Sequence, residues 1–486
     1  MKKFTRILFI LFTISAAVLW SCSQENTPVS REIAANEEPN DSEPAVEDKN
    51  ADLTPYLPAE NYGDYEFKIL IREHNANRDF VYDEAGGDVV DDALYRRDLA
   101  VQERFGIKIV PIVQSGTGDA AVKSIQAGDD PYDLILPHAH VALSSYVANG
   151  LALGWDKLTY VDLDKPWWNK DARKSLSVGG KIYEMTGDAS YMSLGFTVAL
   201  AFNKNLFADL NIPDPYQMAT EGKWTFDEFS KIVRQGSKDI NGDSALNIAD
   251  DRIGFVTTVW QAQISFLWTC GSRTTLKDEN DIPYIALNND KTIKLFDSLF
   301  SLLKSEDCYA YDAGSSGNLP HVQALESGNA LVIDLHIWSL MQLKNMSGEY
   351  GVLPYPKFTE SDEYTSNVDA GIHMMIIPST AKNPGRTSVI LESLCAESYK
   401  TVMPAFYEIA LKIKYTRDDI SVKMLDMIKE SRVFDLGYFS NYNSQICMPG
   451  YTLFGQSSPD FVSFYEKHEE AAKKALDKLI DNILNS

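Results

Sequence analysis

The run Gly195-Phe196-Thr197-Val198-Ala199-Leu200-Ala201-Phe202 is apolar without interruption, rich in Val, Phe and Thr, and too short for a core helix pair. It predicts a strand buried on both faces. Ahead of it the apolar positions switch between two periods. Phe67 to Ile71 predicts a strand, and Val90, Ala93, Leu94, Val101 and Phe105 mark one face of a helix that stops at Gly106. Ile107 to Val110 begins a second strand, Asp119 caps a second helix ending near Gly128, and Tyr132 to Leu136 gives a third strand. Strand, helix, strand, helix, strand implies parallel pairing through right-handed crossovers. Ligands of such sheets sit beyond the carboxyl ends of the strands, which singles out Arg72-Glu73-His74 and Pro137-His138-Ala139-His140.

Beyond that run the alternation starts again. Thr225-Phe226-Asp227-Glu228 is a capping box opening a helix to about Gly236, Ile253 to Thr258 reads as a strand, and Lys291 to Lys304 is amphipathic at helical spacing. Val368 to Pro378 is a second crossing strand, and two crossings make a hinge. Thr387 to Ala396 predicts a helix packing back on the first lobe. A last helix opens at Ser458-Pro459 and presents Phe461, Phe464, Ala472, Leu476, Leu479 and Ile483 to the core. The expectation is an α/β fold of two lobes with a cleft between them: residues 61–195 and 366–486 in the first lobe, 196–365 in the second.

The amino terminus carries an address. Lys2, Lys3 and Arg6 precede an apolar run of about 13 residues, too short to span a bilayer. It ends in Leu19-Trp20-Ser21-Cys22, which resembles the lipobox of bacterial lipoproteins, with residues 1–22 as signal peptide and Cys22 as the lipidated residue; an ordinary cleaved signal is the alternative. Residues 23–60 are acidic, polar and poor in aromatics, the composition of a tether reaching roughly 35 Å by random-coil scaling. With 486 residues and 44% hydrophobic content the remainder can bury two cores. A net charge of −24 argues against nucleic acid as a partner. Cys270, Cys308, Cys395 and Cys447 form no Cys-x-x-Cys pair and are either free thiols or up to two disulfides.

Several segments together resemble the extracellular solute-binding proteins of ATP-binding cassette importers, in the sugar-binding, maltodextrin-binding-like group. They are Val90 to Arg97, Pro166-Trp167-Trp168-Asn169, Gly179-Gly180-Lys181-Ile182-Tyr183, Asn203-Lys204-Asn205-Leu206-Phe207, Gln323 to Trp338, and Tyr350 to Pro356. The resemblance covers about residues 64 to 400. It implies a periplasmic-binding-protein-like fold with a hinge and an interlobe cleft, a monomer, no catalysis, a small solute such as a mono- or oligosaccharide, and a membrane permease as partner. It also places Trp260 at the cleft wall and matches Trp338 to the aromatic that stacks on a pyranose. With the strand-end residues, the candidate ligand set is Arg72, His138, His140, Tyr191, Trp260, Trp338 and Asp369, while Trp167 and Trp168 read as structural. The expected location is extracytoplasmic, lipid-anchored to a bacterial membrane.

One segment suggests a metal. Asp239, Asn241, Asp243, Asn247 and Asp250 stand at positions 1, 3, 5, 9 and 12 of a loop, the ligand order of an EF-hand calcium site. The glycine falls at position 4, leaving Ser244 at position 6 where a sharp turn is needed, so an Asx-rich turn is the alternative to a structural calcium. No nucleophile elbow, phosphate loop, dinucleotide fingerprint or zinc-protease motif is present. Two other readings stay open: a receptor of the same fold for a peptide or other small organic solute, and a surface glycan-degrading or glycan-binding accessory protein.

Overall fold

A computed structural model describes residues 53–80, 86–311, 320–456 and 460–485. The leader, Cys22, the tether up to residue 52, and Ser458-Pro459 lie outside them.

The first sheet holds β1 (Tyr65–Arg72), β2 (Ile107–Gln114) and β3 (Leu134–Leu136) in the order β2-β1-β3, all parallel. Its central strand buries Phe67, Ile69, Leu70 and Ile71, so the middle of the sheet is apolar on both faces, as crossover helices require. The connecting helix Val89–Phe105 starts where the Asp88 carboxylate accepts the Val90 N–H. It ends at Gly106, whose φ of 59° is left-handed and whose position leaves no room for a Cβ beside the Asn61 side chain. The second crossover helix, Asp119–Gln126, is preceded by Gly118, so Asp119 is its first residue rather than its cap.

The second sheet is mixed. It comprises β4 (Val198–Asn203), β5 (Ile253–Thr258), β8 (Cys308–Tyr311), β9 (Ala330–His336) and β10 (Tyr350–Leu353), ordered β10-β4-β9-β5-β8. A separate hairpin pairs β6 (Thr275–Lys277) with β7 (Pro283–Ile285). β4 runs antiparallel to both its neighbours, while β5 is parallel to β8 and β9. The strand expected from Gly195 begins only at Val198, because Met192–Gly195 closes a helical turn first. Helix Phe226–Gly236, capped by the Thr225 hydroxyl accepting the Glu228 N–H at 3.4 Å, packs on β5 and β9.

The chain passes between the sheets at two adjacent places. Thr197 bridges Val368 in antiparallel fashion, and the Asp369 N–H donates to the Phe196 carbonyl at 3.1 Å. The second crossing is not a continuous strand. It touches the first lobe through single bridges, His373 to His138, Met375 to Met185, Ile376 to Ile135 and Pro378 to Ala152.

Residues 366–486 do not all stay with the first lobe, as the sequence suggested. Helix Pro384–Lys400 packs on helix Val89–Phe105, as expected, but helix Asp419–Glu430 packs on β10 of the second sheet. There the Ser421 hydroxyl bonds the Tyr216 hydroxyl at 2.7 Å and accepts the Val352 N–H at 3.2 Å. The last helix, Phe461–Leu484, stacks Phe461 on Phe296 of the second lobe at 4.7 Å, while Asn482 donates to the Ala148 carbonyl of the first at 2.6 Å. Its cap is Asp460, which accepts the Ser463 N–H, and not Ser458. The reason is burial: these helices carry apolar faces that cover second-lobe elements as well as the first lobe.

Trp167 and Trp168 are buried, and both indole N–H groups donate to one carboxylate, Glu392, at 3.0 and 2.8 Å. Burial lifts that carboxyl to about 7 although the two indoles and the Asp162 amide pull the other way. The four described cysteines, Cys270, Cys308, Cys395 and Cys447, are buried and unpaired with one another. No helix among the described residues is long and apolar enough to cross a membrane.

Candidate functional site

Five of the seven expected ligand residues, Arg72, His138, His140, Trp260 and Trp338, are half-buried next to fully buried neighbours; Tyr191 and Asp369 are buried. Partial exposure of polar and aromatic groups at the ends of buried strands is what marks a groove rather than a core.

Asp369 is its hub. The carboxylate accepts the Gly371 N–H at 2.6 Å and the Tyr438 hydroxyl at 3.2 Å, and His336 Nε2 lies 3.8 Å away. Burial pushes its pKa up, but His336, the Gly371 amide and the field of His138 outweigh burial and hold it below the usual carboxylate range. Arg72, at the end of β1, donates to the Gly371 carbonyl at 2.8 Å and so fixes the turn on which Asp369 sits.

The strand-end histidines are oriented by the backbone. His138 Nδ1 accepts the His140 N–H at 3.1 Å, so His138 caps the short turn Ala139–Val141 and presents its Nε2 edge. The two rings lie 4.7 Å apart, and His140 meets Tyr438 edge-on at 5.7 Å. Burial lowers His138 to about 3, helped by His140 and Arg72, and lowers His140 to about 4 against the pull of Asp369. Both rings are therefore neutral at pH 7, able to donate and accept without carrying charge. His373 is buried behind them, its Nδ1 at 2.7 Å from the Asp79 carboxylate, which also accepts the Ser190 hydroxyl at 2.6 Å.

The aromatic side comes from the second lobe and the crossing. Trp338 is the second residue of the helical turn Ile337–Asn345 after β9, with Phe196 6.3 Å away and the Arg78 guanidinium over its ring at 3.5 Å. Gly195 is what lets Trp338 approach: a Cβ there would lie 3.3 Å from the Trp338 Cβ and 3.0 Å from the Met192 sulfur. Trp260 lies 6.3 Å from His336, which in turn lies 4.8 Å from Phe196. Trp338, Tyr191, Arg78, Phe406 and Tyr415 line a cavity of about 440 Å³, a size that suits a small solute. Two other cavities, of about 520 and 760 Å³, contain none of the expected residues.

The structure thus joins Arg72, His138, His140 and Asp369 in one polar cluster, sets Tyr191 and Trp338 around the cavity, and links Trp260 to the cluster through His336. Reasoning from sequence missed Arg78, Phe196, His336, His373 and Tyr438. His336 and His373 stand within the segments that signalled the site, and Phe196 stands in the apolar run itself, but nothing local marks Arg78 or Tyr438.

Only one group among the described residues has carboxylates close enough to share a cation: Asp239, Asp243 and Asp251, with oxygens within 4.8 Å of one another. Asp251, not the expected Asp250, faces inward. Asp250 is exposed, whereas the buried Asp251 carboxylate accepts the amides of Ile240 at 2.8 Å, Asn241 at 3.3 Å and Asn247 at 3.0 Å. The Asn241 and Asn247 side-chain oxygens are turned onto loop amides, those of Asp243 and Ala249. Ser244 takes the left-handed turn, at φ 70°.

Two α/β sheets joined by paired crossings, with polar and aromatic residues gathered where the crossings meet the strand ends, define a two-lobed binding protein. The profile of the bacterial extracellular solute-binding protein family matches residues 96–386, and the chain belongs to that family, whose members bind solutes for transporters and are not enzymes. Solved structures share the fold. An ABC substrate-binding protein of Listeria monocytogenes in complex with cycloalternan superposes with a TM-score of 0.53 at 13% identity, covering 86% of this chain and 98% of that one. An ABC transporter solute-binding protein of Thermotoga lettingae bound with α-D-tagatose gives 0.54 at 15% identity, over 85% of this chain and all 100% of the other. A cyclo/maltodextrin-binding protein complexed with maltotetraose gives 0.52 at 13% identity, over 88% and 98%. No curated protein matches the chain.

Proposed function

We propose that this solute-binding protein captures a mono- or oligosaccharide in the groove around Asp369 and Trp338 and delivers it to an ABC permease, working as a monomer held to the membrane by a lipid on Cys22. The observation that carries the reading is the pairing of two surfaces. Trp338 and Tyr191 line the cavity with aromatic rings, and Phe196 and His336 connect Trp338 and Trp260 to the polar cluster of Asp369, His138, His140 and Arg72, which carries donors and acceptors for hydroxyls. The relatives crystallised with cycloalternan, tagatose and maltotetraose support a carbohydrate over a peptide. Because the groove takes residues from both lobes, a ligand held by one lobe adds contacts only when the other approaches, and binding favours closure. The reading includes a structural cation at the 239–251 loop, with Asp251 in the place expected for Asp250.

Isothermal titration against a saccharide panel tests the ligand class, and Trp338→Ala tests the site. The substitution is expected to weaken binding about tenfold and to lower the melting temperature only modestly, since the ring is partly exposed rather than part of the core. Unchanged affinity removes Trp338 from the site. Peptides that bind where no saccharide does replace the carbohydrate reading with the peptide one.

A further inference from the structure

Arg78 stands apart from every other cation of the groove. Arg72 is tied to the Gly371 carbonyl, and His138 and His140 are neutral, hydrogen-bonded or packed. Arg78 is half-buried, holds its guanidinium carbon 3.5 Å from the centre of the Trp338 ring, lines the same cavity as Tyr191, and makes no hydrogen bond or ion pair among the described residues. Its Nε is buried without a partner, as is the Nε1 of the Trp338 it covers. Removing a guanidinium from water without replacing its hydrogen bonds is costly, and a planar fork of donors matches a carboxylate through two parallel bonds.

We propose that the solute is an acidic saccharide, and that Arg78, braced on the Trp338 ring, takes its carboxylate. This rests on the reading of the groove as a carbohydrate site and names the class of sugar. The charges nearby favour one carboxylate over a phosphate dianion. Asp88 and Asp91 line the same cavity, and Asp88 is already engaged, capping the Val90 amide at 2.9 Å and lying 3.5 Å from Lys414. One negative charge on the ligand matches Arg78; two would meet these carboxylates without a second guanidinium to offset them.

The test is calorimetry with matched pairs: galacturonate and galactose oligomers, glucuronate and glucose oligomers, and glucose 6-phosphate as the dianion. An acidic member is expected to bind at least tenfold more tightly than its neutral partner. Arg78→Gln is expected to lose roughly ten- to a hundredfold of that affinity and to abolish the difference within the pair, with Arg78→Lys recovering only part of it. Circular dichroism confirms that the variants fold. Neutral oligomers binding as well as acidic ones, or Arg78→Gln leaving the acidic oligomer's affinity intact, overturns the proposal while the carbohydrate reading stands. Preference for the phosphate also overturns it in favour of a phosphosugar. Binding by no saccharide of the panel brings down both readings together.

Discussion

Two buried carboxyls of the first lobe show how much a side chain's partners decide. Glu392 receives two indole N–H bonds and ties the Trp167-Trp168 pair to helix Pro384–Lys400. Glu184 is as deeply buried, and neither of its oxygens has a partner among the described residues, so burial raises its pKa well above the usual carboxylate value. The same chemical group is thus a clamp in one place and a liability in the other. Glu392→Met strands two buried donors and is expected to cost about 2–4 kcal/mol. Glu184→Met removes an unsatisfied acid at similar volume and is expected to raise stability by about 1–3 kcal/mol. Urea titrations read both. A Glu184→Met midpoint at or below that of the unaltered protein would show that Glu184 is satisfied after all.

At the scale of elements, the loop between Lys238 and Arg252 shows what a motif does and does not specify. Asp239 and Asp243 lie close together because Asx side chains bond amides two or three residues on, whatever lies outside the loop. The order of oxygens along the sequence misassigns the final carboxylate, because which of Asp250 and Asp251 points inward depends on the turn at Asn247 and on the pairing of Lys238 with Arg252. Ser244 at φ 70° has a conformation that glycine adopts freely. Ser244→Gly is therefore expected to raise stability by about 0.5–1 kcal/mol in chelator, the relief of a left-handed residue less the added freedom of the unfolded chain. Melting with millimolar calcium decides the cation: a rise that Asp243→Ala abolishes supports it, and no rise leaves the carboxylates as acceptors for loop amides alone. The same division runs through the fold. Strands β1 to β5 and helices Val89–Phe105, Asp119–Gln126 and Phe226–Gly236 were legible because period and caps are local, while the short helices Lys170–Leu176, Lys204–Asp209 and Pro215–Thr220 are too brief to show an apolar period. The placement of helices Asp419–Glu430 and Phe461–Leu484 was not, since an apolar stripe says that a helix is covered and not by which lobe. Likewise Arg72, His138 and His140 follow from a rule about strand ends, whereas Tyr438 reaches Asp369 from 69 residues away.

For the whole molecule, opposed sets of buried and half-buried groups fix where on the pH scale the fold is firmest. His138, His140 and His321 are all lowered by burial, to about 3, 4 and 4. Their unfolded value is 6.5, so below it the unfolded chain takes up protons that the folded one refuses, and this part of the stability is present above 6.5 and lost as pH falls. Glu392, Asp188 and Asp334 are raised by burial to about 7, the last despite bonds from Thr257 and Tyr355. Their contribution is complete below the unfolded values near 4 and is lost as pH rises through about 7. Above 6.5 the histidines have nothing further to add while the acids are still losing. The melting temperature is therefore expected to peak on the acid side of neutrality and to be lower at pH 8 than at pH 6. Replacing Glu392 by Gln, which keeps an acceptor oxygen for one indole only, sets its NH2 against the other and cannot ionise, is expected to lower stability overall and to flatten the alkaline limb. Scanning calorimetry across pH 4 to 9 measures both. A maximum at pH 8 would mean that these carboxyls are ionised and paired in the folded protein, and that the buried core of each lobe is more polar than its side chains indicate.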